Sequence, residues 1–161
     1  MLDSDLIERI QTIFLHHESR VTIDEAAHML GWSRVQMNSA IKNGDVEVID
    51  TCRGKMIDIR ELAGKALEQW SLPTIEEALG RNASLILPAA LRTRKFTVRL
   101  PLYQIAALKI LADDGHESVD TMLARSFHEL TDLNKERLSR AIPGLDEAIG
   151  WPDVEETERP C

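Results

Sequence analysis

The stretch Lys95-Phe96-Thr97-Val98-Arg99-Leu100-Pro101 constrains this chain more than any other. Its alternation is strict: Phe96, Val98 and Leu100 point to one side, and Lys95, Thr97 and Arg99 to the other. Pro101 ends it, and helical periodicity begins at once, with no second strand before it. A lone strand leaves its backbone donors and acceptors unpaired, and one hairpin's worth of sheet is marginal even when paired. The simplest partner is the same strand of a second copy, related by a two-fold axis. Such a ribbon buries six apolar side chains on one face and presents six polar ones, four of them cationic, on the other. A two-stranded ribbon fits the DNA major groove.

The residues that follow keep a helical rhythm. Leu102, Ile105, Leu108 and Leu111/Ala112 recur at helix spacing, with Gly115 as the stop. Ser118 reads as the N-cap of a second helix with Asp120 in its first turn, and Val119, Met122, Leu123, Ser126, Phe127 and Leu130 form its stripe. The order strand, helix, Gly turn, helix, with an alternating basic strand ending in Arg-Leu-Pro, resembles the ribbon-helix-helix family of DNA-binding dimers, to which the Arc-type repressors belong. The resemblance covers Arg94 to about Leu133. It implies that Lys95, Thr97 and Arg99 read bases, with Arg94 beside them, and that the helix start near Ser118 and Val119 holds a phosphate. It also implies a dimer core built from Phe96, Val98, Leu100, Ile105, Leu108, Leu123 and Phe127. Asp113, Asp114, Glu117 and Asp120 crowd that helix start, where acids favour the helix but repel phosphate.

Charge distribution matters more here than its total. The 161 residues carry a formal net charge of −8, which by itself disfavours nucleic acid. Yet from Asn82 to Ala112 there is no acid, while Arg92, Arg94, Lys95, Arg99 and Lys109 are basic. Asp113 to Cys161 holds thirteen acids and five bases, which accounts for the whole deficit. Affinity for DNA depends on where cations meet phosphate, so the local window outweighs the sum.

The second informative stretch is VTIDEAAHMLGWSRVQMNSAIKNGDVEVIDTCRGKMIDIRELAGKAL, Val21 to Leu67. Thr22 and Glu25 make a capping box before a short helix ending at Gly31, and Ser33 caps a second helix ending at Gly44. Val46–Ile49 and Met56–Ile59 are expected to pair as a hairpin with Arg53-Gly54 near its tip, and a closing helix opens at Asp58. The pattern T-x-x-E-A-A-x-x-L-G-x-S-R, followed by helix, Gly, hairpin and helix, resembles the winged helix-turn-helix of the MerR and phage-excisionase families. On a wheel of about 100° per residue, Met37, Ala40 and Ile41 face the core, and Val35, Asn38, Ser39 and Lys42 face outward with Arg34 at the first turn. A recognition helix uses that outer face: Asn38 for an adenine edge, Val35 for a thymine methyl, Arg34 and Lys42 for phosphate or guanine. Arg53 and Lys55 on the wing reach the backbone or the minor groove.

The remaining segments are expected to support these two modules. An amphipathic helix from Ser4 to about His17 precedes the first; its Leu6, Ile10, Ile13 and Phe14 share a face. Residues 71–93 connect the modules, with a short helix starting at Pro73-Thr74, capped through Glu77 and stopped at Gly80; the apolar run Leu85-Ile86-Leu87 is expected to pack on the dimer core or pair as an edge. Lys135 to Ile142 reads as a third helix of the second module, Asp146 to Ile149 as a single turn, and Trp151 as an anchor. The acidic residues 153–161 lack periodicity and are expected to be disordered.

These readings give a mainly α chain: residues 1–70 as a winged helix-turn-helix with an N-terminal helix, 71–93 as connector, 94–152 as a ribbon-helix-helix dimerisation domain with one short strand per chain. No P-loop, dinucleotide fingerprint, zinc motif or nucleophile elbow is present, so neither enzymatic activity nor a cofactor or metal is expected. Cys52 and Cys161 lack a second pair, the start of the chain is unlike a signal peptide, and no run of eighteen apolar residues occurs, so a cytoplasmic chain without a membrane partner is expected. The expected function is sequence-specific transcriptional regulation by a homodimer on double-stranded DNA. The alternatives are an antitoxin that masks a basic toxin and autoregulates, and an excisionase-like DNA-bending factor.

Overall fold

The computed structural model describes residues 2–153. The chain is mainly helical with one small three-stranded antiparallel sheet. It divides into two compact units: the first comprises residues 2–93 and 146–153, the second Arg94–Leu145.

In the first unit, α1 (Ser4–Phe14) is followed by β1 (Arg20–Thr22), α2 (Ile23–Leu30) and α3 (Arg34–Asn43). Then come β2 (Ile49–Thr51), β3 (Gly54–Asp58) and α4 (Ile59–Gln69). The sheet order is β1-β3-β2, with Val21 opposite Ile57 and Ile49 opposite Met56. Two departures from the sequence reading stand out. β1 was not anticipated, and the hairpin begins at Ile49 rather than Val46. Val46 is instead 2% exposed, an anchor in the core before the strand starts. Val21, Leu30, Met37, Ile57, Leu62 and Ala66 lie in that core, where α2, α3, α4 and the sheet converge.

Residues 71–93, expected as a connector, belong to this same unit. α5 (Leu72–Leu79), a 3-10 turn at Gly80–Asn82, α6 (Ala83–Ile86) and a second 3-10 turn at Ala89–Leu91 carry Ile75, Ala78, Leu79, Ala83 and Leu87 into a second core with Ile10 of α1. The cap of α5 is Ser71, whose hydroxyl accepts from the Thr74 N–H, rather than a Thr74–Glu77 box. Gln11 Nε2 donates to the Ala78 carbonyl at 2.8 Å, tying α1 to α5. Of the apolar run, Leu87 is buried here and Leu85 is exposed, so the run packs within the first unit instead of extending a sheet edge. The unit ends at a carboxylate. The Thr93 N–H and hydroxyl both donate to Glu76 Oε2, at 2.8 and 2.5 Å, and Arg92 Nε approaches Oε1 at 3.5 Å. These bonds hold the Glu76 carboxyl below the usual glutamate range, the Thr93 hydroxyl and N–H contributing most.

Residues 146–152, expected with the second domain, also lie in the first unit. α10 (Leu145–Gly150) buries Ala148, and Trp151 stacks on Phe14 of α1 with ring centroids 5.8 Å apart. Trp151 is thus an anchor, on the first unit's core. Of the acidic end, all but Asp153 lies outside the described residues.

The second unit consists of an irregular segment from Arg94 to Pro101, then α7 (Leu102–Asp114), α8 (Val119–Leu133) and α9 (Lys135–Ser139). The alternating stretch 95–100, expected as a strand, is irregular here and forms no ladder among the described residues. α7 does not stop on a left-handed Gly115, whose φ is −81°. The helix closes one residue later, with His116 at φ +54°, the His116 N–H on Asp113 O and the Glu117 N–H on Ala112 O. Ser118 caps α8 as expected, accepting from the Thr121 N–H at 3.0 Å. The third helix is shorter than expected and ends at Ser139.

Candidate nucleic-acid interface

The site on the first unit is built by the way α3 is held. Thr22 accepts from the Glu25 N–H while Glu25 accepts from the Thr22 N–H at 2.8 Å, closing the box at the start of α2. Those bonds lower the Glu25 carboxyl, the Thr22 backbone N–H first and its hydroxyl second. α2 ends on Gly31 at φ +70°, and the Arg9 guanidinium of α1 lies so close across that glycine that a Cβ there would sit 2.4 Å from Nη1. The left-handed φ favours glycine at this turn, while the Arg9 guanidinium, at the end of a flexible side chain, can move aside. Ser33 and Gln36 form the second box, which opens α3, and Gly44 at φ +81° closes it. Gln69 of α4 locks the turn between the two helices: its Oε1 accepts from Trp32 Nε1 at 2.8 Å and its Nε2 donates to the Leu30 carbonyl at 3.0 Å.

With the turn fixed, the faces of α3 follow. Met37 is fully buried, and Ala40 and Ile41 pack beside it. Arg34, Val35, Asn38, Ser39 and Lys42 are all exposed on the other side. Val35 is 78% exposed, an isopropyl group held in water on a helix otherwise rich in donors. Asp24 of α2 lies 3.6 Å from Arg34 Nε, with both side chains more than two-thirds exposed. A pair of that kind is worth at most about 1 kcal/mol, so a phosphate can displace it.

The hairpin supplies a second set of cations. Cys52 and Arg53 form a two-residue turn, with Thr51 opposite Gly54. The Thr51 hydroxyl donates to Gly54 O at 2.7 Å and accepts from the Arg53 N–H at 3.2 Å, which braces the tip. Lys55 is exposed but stands directly across from Asp50, so one of the two expected wing cations faces an acid. Arg20 on β1 is a residue the sequence reading missed. It shares a shallow hollow with Ser19, Cys52, Arg53 and Met56, together with Glu18. The alternation Arg20-Val21-Thr22 ahead of the capping threonine was the available signal.

Arg94, Lys95, Thr97 and Arg99 belong to the other unit, and all four are exposed. So are Phe96 at 87% and Val98 at 59%; Leu100 is half-buried. In one chain the two faces of this stretch are not separated by burial. Among the described residues no group of three or more His, Cys, Asp or Glu stands together as metal ligands. No helix among them is long and apolar enough to cross a membrane. Compared with known protein families, with curated proteins and with solved structures, the chain shows no match.

Proposed function

We propose that this protein is a sequence-specific DNA-binding transcriptional regulator that acts as a homodimer, with a winged helix-turn-helix in its first unit and a ribbon-helix-helix in its second. The observation that carries the reading is α3: a short helix capped at both ends, locked through Gln69, with Met37 buried and the whole of Arg34, Val35, Asn38, Ser39 and Lys42 presented outward. That face offers an amide for an adenine edge, an apolar group for a thymine methyl and two cations for phosphate or guanine, the mixture that base readout in a major groove uses. Arg53 and Arg20 beside the hairpin tip add cations for the backbone. The ribbon contributes through Lys95, Thr97 and Arg99 once two strands pair and Phe96, Val98 and Leu100 turn inward.

The test is a titration of operator and random duplexes at two salt concentrations, the operator first being selected from genomic fragments with the intact protein. Arg34→Ala and Lys42→Ala each weaken binding and flatten its salt dependence. Asn38→Ala and Arg99→Ala instead lose about 1–3 kcal/mol of discrimination at one position each. Unchanged curves for all four variants reject the reading; unchanged curves for Arg99→Ala alone confine DNA contact to the first unit.

A further inference from the structure

Val35 stands on the first turn of α3, one residue after Arg34, with its isopropyl group in water. A single exposed apolar residue is ordinary, and a β-branched one lowers the helix propensity of the turn it occupies. The setting of Val35 is what distinguishes it. Asn38 and Ser39 flank it one turn on, and Lys42 follows; all three are exposed, with no side-chain hydrogen bond or ion pair among the described residues. From Arg34 to Asn43 the helix carries no Asp or Glu. Its outer face therefore holds donors, an amide and one apolar group, but no carboxylate to accept from cytosine N4. Arg34 adds direction. Its Nε lies 3.6 Å from Asp24 Oδ1, which leaves the Nη edge for a base. A phosphate has to displace Asp24, because two anions would otherwise share one guanidinium. A neutral guanine edge can be met with Asp24 in place.

We propose that the first turn of α3 takes a two-base step of the major groove: a guanine read by Arg34 and, at the neighbouring base pair, the 5-methyl group of a pyrimidine packed on Val35, so that 5-methylcytosine substitutes for thymine at that contact. The inference rests on the DNA-binding reading and names the chemistry its site takes. Spacing agrees with it. Consecutive Cα atoms lie about 3.8 Å apart and stacked bases about 3.4 Å. Two adjacent residues at the N-terminal end of a recognition helix therefore address adjacent base pairs. The methyl is the feature the two bases share, projecting from C5 into the major groove, where unmethylated cytosine offers only its N4 donor. An isopropyl group makes no hydrogen bond, so Val35 gains from the methyl and gains nothing from N4. Burying one methyl in this way is worth roughly fourfold in affinity, once in each half-site of a homodimer.

Titration of the full-length protein against synthetic duplexes of the selected operator decides it. Each thymine is replaced in turn by uracil. Where that weakens binding, the T·A pair is replaced by C·G and by 5-methylcytosine·G. The comparisons of thymine with uracil and of 5-methylcytosine with cytosine each change one methyl group and leave every hydrogen-bonding edge alone. At one pyrimidine per half-site, beside a guanine that Arg34→Ala no longer distinguishes, uracil should bind roughly fourfold more weakly than thymine. 5-Methylcytosine should bind more tightly than cytosine there by the same factor. Val35→Ala should abolish both differences with unchanged helical circular dichroism, since the side chain lies outside the core. Equal affinities for thymine and uracil at every position, with operator binding intact, overturn the inference and leave the DNA-binding reading standing. Methyl effects that persist in Val35→Ala also overturn it, since the methyl is then read elsewhere. A preference for thymine over uracil without one for 5-methylcytosine over cytosine overturns the substitution. No binding to any duplex overturns the DNA-binding reading and this inference together.

Discussion

The two units solve the problem of burial in different ways. In the first, α1 is shared between two cores: Ile13 packs with Leu30, Ile57 and Leu62, and Ile10 with Ile75, Leu79 and Leu87. Its large apolar side chains are inside, with Val35 and Leu85 as the exposed exceptions among the described residues. In the second unit Ala112 and Met122 are buried, while Phe96, Leu102, Phe127, Leu130 and Leu133 are each more than half exposed. The fifty or so residues of this unit are few for a core of their own, and a domain of that size is marginal. The proposed homodimer would cover that surface, and the first unit has no comparable surface to cover. On the homodimer reading, stability should be a property of the single chain for residues 2–93 and 146–153 and a property of the assembly for residues 94–145.

The largest expected effect breaks the second half of that comparison. Val98→Asp sets a charge on the apolar side of the ribbon, a loss of several kcal/mol. The dimer should fall to one chain by light scattering, with the α7–α8 helical signal reduced and the first unit still folded. A wild-type mass of one chain would remove the contrast altogether. Next in size is a change within the first unit. Leu62→Ala empties a fully buried position between α4 and the sheet, with about 2–5 kcal/mol lost. Its unfolding midpoint in urea should not move with protein concentration, whereas the transition of the second unit should. If both transitions shift together on dilution, the two units are not separately stabilised.

The smallest effect sharpens the boundary between the units. Thr93 holds the Glu76 carboxyl below its usual range, so this contribution is complete at neutral pH and is lost as pH falls through the folded-state value. Glu76→Gln should lower the first unit's urea midpoint slightly at neutral pH. The wild-type and variant midpoints should then converge as the pH falls below the ordinary glutamate value of about 4.3. Glu25 titrates in the same direction in both proteins and drops out of the difference. Parallel curves with no convergence would show that the Thr93 bonds do not stabilise the folded state.

Where the sequence was easy to read, the determinants were local. Thr22, Glu25, Ser33, Gly31 and Gly44 specify α2 and α3 through bonds spanning three to five residues, and each was found at its expected position. The outer face of α3 was equally legible, because Met37 can be buried only if Asn38 and Lys42 are not. Less local features were misread. The stop of α7 shifted from Gly115 to His116, because a left-handed residue is required at that place and not a glycine as such. The residues taken as a connector carry Ile75 and Leu79, whose partner Ile10 lies some sixty-five positions earlier; no periodicity within 71–93 announces such a contact.

The sequence alone determined α2, α3 and the start of α8 with their caps, since these depend on backbone chemistry and on spacings of two to four residues. It also set out the acid-free basic window around the alternating stretch 95–100. Only the tertiary structure decided which surfaces were used up. It placed β1 against β3 through Val21 and Ile57, gave 71–93 and 146–153 to the first unit, and left Phe96 and Val98 exposed along with Lys95, Thr97 and Arg99. Burial is a sum over neighbours distant in sequence, and an apolar pattern states that a face must be covered without stating by what.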